Sequence, residues 1–184
     1  MKTPETKPNF PELISQMELL IDLYQDKLVH HAFFRLGNHQ DAEDVVQDVF
    51  IRFFNEQKQG KTILNPPAYI FRVVSNSCID RLRSKSRSRQ IPFDDIQETE
   101  IGVCESNENE LIKQEEYERI NALLDSIPDE QAEIVRFRFV DGLPFQHIAD
   151  ILELPLTTVK SRFSYGLLKI KTKFFNQKEV SHAV

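Results

Sequence analysis

The sequence predicts an all-α fold in which two small helical domains are joined by a flexible acidic linker. Apolar residues recur at steps of three and four over long segments, as in helices that bury one side. The 184 residues include only 5 Gly and no Trp, and alternating β-branched residues are scarce. Between two helical segments lies a stretch, residues 93–110, with acidic residues and no basic one. We therefore expect domains at 12–89 and 111–176, a linker at 90–110, a disordered lead at 1–11 and a tail at 177–184.

The first helix is predicted to begin at about residue 12, after a lead that contains Pro4, Pro8 and Pro11. We expect it to end near Gly37, because glycine adopts the left-handed conformation that commonly closes a helix. Its apolar positions at helical spacing are Leu13, Met17, Leu20, Tyr24, Leu28 and His31.

The second helix is predicted from Asp41 to about Gln57, with acidic residues in its first turn, where they suit the helix dipole. Apolar pairs repeat every four residues from Val45 to Phe54 and form a wide stripe. We expect Arg52 to pair with Asp48 one turn before it. The polar side is either ordinary surface or a docking site for a basic or amide-rich partner. This second-helix face consists of Asp44, Gln47, Asp48 and Arg52.

A loop is predicted over 57–67, and a third helix from Pro67 to about Arg83 or beyond. Five residues of this helix fall within about a quarter turn of one another at 100° per residue. They form either a solvated surface with an Asp80–Arg83 pair or a surface that stacks on bases and holds a nucleic-acid backbone. The opposite side carries Ile70, Val74 and Ser77, which can pack inward. This third-helix face consists of Tyr69, Arg72, Asn76, Asp80 and Arg83.

In the second domain we predict a helix over 111–126, another from Pro128, and a helix-turn-helix over 144–163. Ala149 is small where the second helix must cross closely, and Glu153 stands in the turn where glycine is common. The alternatives are a structural helical pair and a DNA reader whose last helix faces phosphates and base edges. The outward residues, the recognition-helix set, are Thr157, Thr158, Lys160, Ser161 and Arg162.

Charge and composition restrict the function further. The net charge of −6 argues against DNA binding, yet residues 81–89 hold five cations and 156–173 hold bases without an acid. Cys78 and Cys104 lack metal-ligand spacing, and no catalytic arrangement is present, so we expect no metal, cofactor, small-molecule substrate or enzymatic activity. No membrane span or signal peptide is predicted, so the cytoplasm is the expected compartment. The histidines are expected at the surface or half-buried.

Three segments resemble, in order, bacterial extracytoplasmic-function (ECF) sigma factors, over roughly residues 15–175. Residues 41–54 resemble the helix that binds core RNA polymerase, 67–83 the promoter-melting helix, and 127–163 the C-terminal promoter-reading domain. The resemblance implies that Asp44, Gln47 and Asp48 dock on the β′ clamp helices. It also implies a sigma region 2 domain at 12–89 and a sigma region 4 domain at 111–176.

The resemblance assigns DNA contacts to the other two surfaces. The third-helix face and the 57–67 loop, with Lys58 and Lys61, would recognise and open the −10 element, and the recognition-helix set would read the −35 element. It implies as partners the polymerase β and β′ subunits, promoter DNA and an anti-sigma factor, often the cytoplasmic end of a membrane protein. The linker would thread polymerase channels. The alternative is a helix-turn-helix regulator that is not a polymerase subunit, and it would need an effector pocket in the first domain.

Overall fold

A computed structural model of the protein describes residues 10–88 and 118–181. Within these ranges the regular structure is entirely helical, as predicted. The predicted lead up to residue 9, the linker 90–110 and residues 182–184 lie outside the described residues. The helices are α1 (Phe10–Leu36), α2 (His39–Lys58), α3 (Pro66–Ser88), α4 (118–125), α5 (Asp129–Phe139), α6 (Phe145–Leu152) and α7 (Leu156–Ser181).

Side-chain caps move two helix starts ahead of the predicted positions. Asn38 has an extended backbone and its side chain accepts the Asp41 amide at 2.8 Å, so α2 begins at His39 rather than Asp41. The Asn65 side chain accepts the Ala68 amide at 3.2 Å, and α3 begins one residue earlier than expected. At the other ends, α3 continues to Ser88 and α7 runs to Ser181, through residues predicted as tail.

Helices α1, α2 and α3 form the first unit around an apolar centre. The predicted stripe of α2 is buried from Val45 to Phe53, while Phe54 is half-buried. Ile70 and Val74 are buried on the inner side of α3, and Ser77 is half-buried, as expected. The stripe therefore fixes the direction in which the second-helix face points.

Helices α4 to α7 form the second unit around a smaller cluster of Leu124, Ile127, Ala132 and Val135. Gly166 allows α7 to approach α5 closely, since a Cβ there would lie 3.2 Å from Val135 Cγ2. In the helix-turn-helix, Ile148, Ala149 and Val159 are buried. Packing of these residues fixes the orientation of the recognition helix at the start of α7.

The two units also share one continuous core, which the patterns within the sequence did not predict. Phe137 and Ile148 of the second unit belong to the same buried cluster as Leu28 and Phe71 of the first. His31 is fully buried in this junction, stacked on Phe137 with ring centroids 4.9 Å apart. The expectation that the histidines are exposed or half-buried is therefore wrong for His31.

Candidate functional site

The second-helix face lies on the solvent side of α2, opposite the buried stripe. Gln47 and Asp48 are exposed. The Asp44 carboxylate is about half-exposed and lies 3.4 Å from the Arg81 guanidinium of α3. The Asp41 carboxylate accepts a hydrogen bond from the Arg81 guanidinium at 2.5 Å and also contacts Lys85. The hydrogen bond from Lys85, and after it the one from Arg81, lowers the pKa of Asp41. The start of α2 is therefore tied to the cationic end of α3, while Gln47 and Asp48 remain available.

An apolar groove of about 500 Å³ runs beside this face, between α1 and α2. Its lining includes Ile21, Val46, Phe50 and Phe54, and Gln47 also borders it. Exposed polar groups and an accessible apolar groove thus lie side by side on one surface of the first unit. This combination suits a protein partner more than it suits a small polar ligand.

Arg52 does not pair with Asp48 as predicted. Its Nε donates to Glu56 Oε1 at 3.3 Å, because Glu56 lies one turn ahead on the same helix. Glu56 also accepts from Lys61 Nζ and from the Tyr69 hydroxyl, each at 2.7 Å. These contacts, led by Lys61, lower the pKa of Glu56 to about 2. Sequence reasoning missed Glu56, although its four-residue spacing from Arg52 was a usable signal.

The same cluster connects the loop to α3. Tyr69 is half-buried against Phe53, and Lys61 Nζ lies 5.5 Å from its ring centroid. Burial, followed by the hydrogen bond to Glu56, raises the pKa of Tyr69. Lys58, at the end of α2, is exposed. Lys61 is therefore held beside Tyr69 by Glu56, and the loop has a defined position relative to the third-helix face.

The third-helix face divides into two parts. Asn76, Asp80 and Arg83 are exposed, and Asp80 pairs with Arg83 at 4.0 Å, as the solvated-surface alternative expected. Arg72, nearer the start of α3, is instead two-thirds covered and pairs with Glu153 in the turn of the helix-turn-helix. Its guanidinium also lies 6.0 Å from the Tyr69 ring centroid. The beginning of this face is therefore in contact with the second unit.

The recognition-helix set projects from the first two turns of α7. Thr157, Lys160 and Ser161 are exposed, whereas Thr158 is half-buried. Arg162 is half-buried and its guanidinium lies 2.7 Å from Glu130 of α5. Three of the five residues are therefore exposed, and one of the two cations of the set is already paired.

The turn before this helix has the left-handed backbone for which glycine is common at this position. Glu153 has φ 53° and ψ 41° and ends α6. Its amide donates to Ala149 O, which provides a helix-ending hydrogen bond. The backbone geometry of the turn is therefore retained without glycine.

Neither metal-binding nor membrane-spanning features occur in the described part of the chain. No group of three or more His, Cys, Asp or Glu residues there is placed to hold a metal ion. No helix within 10–88 or 118–181 is long and apolar enough to cross a membrane.

Comparison with known proteins identifies both units. Residues 20–88 match the family model of sigma-70 region 2, and residues 123–172 match sigma-70 region 4. The ECF RNA polymerase sigma factor SigW of Bacillus subtilis is 26% identical over 155 residues, which cover 80% of this chain and 82% of the relative.

Two solved structures share the fold. CnrH, in complex with the cytosolic domain of CnrY, has a TM-score of 0.61 at 17% identity and covers 89% of this chain and 90% of its own. The sigma factor RpoE of Bartonella quintana, in complex with the anti-sigma factor NepR, has a TM-score of 0.57 at 20% identity. The match covers 86% of this chain and 96% of RpoE.

Proposed function

Because the chain belongs to the ECF family of RNA polymerase sigma factors, which direct promoter recognition as non-catalytic polymerase subunits, we propose a role for each of its three surfaces. The second-helix face binds the β′ clamp helices. The third-helix face, with Lys58 and Lys61, recognises and opens the −10 element, and the recognition-helix set reads the −35 element. The observation that carries this proposal is that one folded chain presents three polar surfaces, two of them cationic and one acidic.

The β′ assignment rests on the exposed Gln47 and Asp48 beside the apolar groove of α2. An acidic and amide surface next to an apolar groove complements a basic amphipathic helix pair. A second apolar cavity, of about 410 Å³, lies between the units and supports docking of the β subunit there. Its lining includes Leu124, Val135, Phe139 and Leu167 of the second unit and His30 and Phe34 of α1.

The −10 assignment rests on the cluster around Glu56. Lys61 and Tyr69 are held together at the junction of the loop and α3, so a cation and an aromatic ring face the same space. Such a pair can hold a phosphate and stack on an unpaired base. The exposed Asn76 and Arg83 extend this surface along α3. Opening of the duplex is then driven by capture of unstacked bases.

The −35 assignment rests on the outward cation and hydroxyl groups at the start of α7. Lys160 is exposed beside Thr157 and Ser161, and α6 braces this helix as in DNA-reading helix-turn-helix units. The net charge of −6 weakens binding of the free chain to duplex DNA. Docking on polymerase would make both promoter contacts intramolecular and so raise their effective strength.

We further propose that an anti-sigma factor controls the protein and is the cytoplasmic end of a membrane protein. CnrH, which shares the fold, is bound to the cytosolic domain of CnrY, and RpoE of Bartonella quintana is bound to the anti-sigma factor NepR. We place the protein in the cytoplasm, where its polymerase acts. The boundaries proposed for the two regions are 12–89 and 111–176, with 90–110 threading polymerase channels as the linker.

The polymerase assignment is tested with Asp48→Arg, which reverses one exposed charge of the second-helix face. We expect loss of binding to core polymerase in a pull-down, with an unchanged circular dichroism spectrum. Glu18→Arg, at an exposed position of α1, is the matched control and should bind normally. Unchanged affinity of Asp48→Arg would refute this docking surface.

The −35 assignment is tested with Lys160→Ala and Arg162→Ala in the assembled holoenzyme. Each substitution should weaken −35 binding and lower the slope of log affinity against log salt by roughly one for a lost phosphate contact. Lys171→Ala, farther along α7, serves as the control for general charge. Promoter footprints and salt slopes that match those of the wild type would contradict the assignment.

A further inference from the structure

The end of α3 carries a run of five cations within residues 81–89. The structure describes the first four of them, and they alternate between two sides of the helix, because a step of two residues turns an α-helix by about 200°. Arg81 and Lys85 contact α2. Arg83 and Arg87 lie on the opposite side and are exposed. The run therefore consists of an inward pair and an outward pair with different surroundings.

The inward pair is held by one carboxylate, that of Asp41 in the first turn of α2. Arg81 Nη2 lies 2.5 Å from Asp41 Oδ1, and Lys85 Nζ contacts Asp41 Oδ2, so each carboxylate oxygen has its own cation. The Asp44 carboxylate lies 3.4 Å from Arg81 and adds a longer contact. The hydrogen bond from Lys85 is the largest cause that lowers the pKa of Asp41, so this carboxylate is ionised at neutral pH.

Asp41 and Arg81 both project from well-anchored turns of their helices. The Asp41 amide donates to the cap Asn38, and the next residue, Ala42, is fully buried. On α3, Cys78 is fully buried one turn before Arg81. Only 17% of the Asp41 side chain and 33% of the Arg81 side chain are exposed. Because water screens such a pair less than an exposed one, the bridge is stronger than an ordinary surface ion pair.

The outward pair is much more open to solvent. Arg83 lies 4.0 Å from Asp80, and the two side chains are 72% and 79% exposed. Arg87 is exposed, and its Nε donates to the backbone oxygen of Arg83. Water screens an ion pair of this length and exposure, so Arg83 can exchange Asp80 for a phosphate at little cost. The inward cations would first have to leave Asp41.

Phosphates and the Asp41 carboxylate therefore compete for the same two cations. Each cation that neutralises a phosphate releases a counterion from the DNA, and this effect acts on any sequence. A cation that is already paired with a carboxylate contributes less to it. Promoter choice depends on the difference between specific and non-specific binding, so a fully available run of five cations would lower that difference.

We propose that Asp41 is a specificity-determining residue, which suppresses non-specific binding to duplex DNA by holding Arg81 and Lys85 against α2. The outward pair remains available for phosphates. The inference rests on the proposed function for its importance in promoter choice. The shielding of the two cations does not depend on that function, because binding of the free chain to a duplex without a promoter can be measured directly.

The first experiment titrates the free full-length chain with a fluorescent duplex that lacks a promoter, from about 50 mM to about 200 mM salt. Asp41→Asn should make the slope of log affinity against log salt steeper by roughly one to two, because one or two further cations reach phosphates. The ratio of variant to wild-type affinity should then fall across this range by about 3-fold for one released cation and about 12-fold for two. An unchanged slope overturns the proposal.

Two other substitutions control for charge and for structure. Glu43→Gln removes the same charge from an exposed position of the same helix, where the carboxylate lies beside His39, and should leave the slope unchanged. Asp41→Glu keeps a carboxylate at the start of α2 and should retain the slope of the wild type. An equal increase in Asp41→Asn and Glu43→Gln would mean that net charge alone acts, and would overturn the shielding by Asp41.

A double-mutant cycle distinguishes shielding from a merely structural role of Asp41. In the wild-type background, Lys85→Ala and Arg81→Ala should leave the salt slope unchanged, whereas Arg87→Ala should lower it by roughly one. In the Asp41→Asn background, Lys85→Ala or Arg81→Ala should lower the slope by roughly one as well. Circular dichroism reports whether each variant keeps its helices. If neither inward substitution lowers the slope in that background, or if both already do so in the wild type, the proposal is wrong.

The assembled holoenzyme connects the shielding with promoter choice. In competition between a promoter fragment and a duplex without a promoter, Asp41→Asn should lower the affinity ratio by about three-fold or more at low salt. An unchanged ratio, together with a steeper slope in the free chain, overturns the role in specificity and leaves the proposed function intact. Failure of the proposed function would appear instead as normal core binding by Asp48→Arg, and the slopes of the free chain would still decide whether Asp41 shields the two cations.

Discussion

Replacement of Glu56 by glutamine should destabilise the first unit in a strongly pH-dependent way. Glu56 is the acceptor that holds Lys61 and Tyr69 together, and its side chain is 18% exposed. Its pKa is lowered from 4.5 to about 2, chiefly by the hydrogen bond from Lys61. A shift of this size corresponds to an upper limit of roughly 3 kcal/mol, at 1.36 kcal/mol per pKa unit. Because Lys61 is about half-exposed, solvent screening reduces the expected loss in Glu56→Gln to about 1–2 kcal/mol.

The sign of the pH dependence follows from the direction of the shift. A carboxyl group with a lowered pKa in the folded state adds stability that is complete above its unfolded value of 4.5. This contribution decreases as the pH falls toward about 2, where the folded protein also takes up the proton. The difference in unfolding free energy between wild type and Glu56→Gln should therefore be largest at pH 6–7 and fall by roughly half or more at pH 3.

Urea unfolding followed by circular dichroism at a series of pH values measures this difference. Glu18→Gln, at an exposed position of α1, removes the same kind of charge and controls for net charge. Subtracting the unfolding free energy of the wild type from that of the variant at each pH removes the contributions of the other titrating groups, including Asp41. A free-energy difference that is independent of pH between 7 and 3 would refute the assignment of Glu56 as the ionised centre of the cluster.

Three further substitutions test the packing. Asn38→Ala removes the cap of α2 and should lower the free energy of unfolding by about 1 kcal/mol, measured by urea titration. Gly166→Leu places a side chain against Val135 and should lower the thermal midpoint, since overpacking typically costs about 1–3 kcal/mol. Phe137→Ala removes a ring packed between the units and should cost about 3–5 kcal/mol. Hydrogen exchange in that variant should show lost protection around His31, and unchanged protection would contradict the shared core.

Local patterns were sufficient to predict the described helices and the buried side of α2. The four-residue repeat from Val45 to Phe53 identified the buried side of α2, and the second-helix face followed as its opposite. Helix ends were predicted less accurately, because they depend on individual side-chain caps. Asn38 and Asn65 each accept a backbone amide three residues later, and a search for such acceptors would have found both starts.

Contacts between the units could not be predicted in the same way. His31 falls at an apolar position of the first helix, and that spacing was a signal for its burial. Its partner Asp141 lies 110 residues later in the chain, and no short-range period connects the two. The contact of Arg72 with Glu153 is equally remote in sequence. Such pairs depend on how two finished units meet, which the pattern within either unit does not determine.

Charged pairs lie within the junction between the two units, where Arg35 of α1 pairs with Glu133 of α5 and His31 with Asp141. An entirely apolar junction would leave a large apolar surface in water when the units part, and such surfaces promote association. If the units parted, water would hydrate Arg35, Glu133 and Asp141 again. This hydration would offset part of the free energy lost with the contacts between the units. Paired buried charges add little net stability, yet an unpaired one is costly, so they select one alignment of the two units over others. The buried pairs and the contact of Arg72 with Glu153 therefore fix how the two units align in this structure.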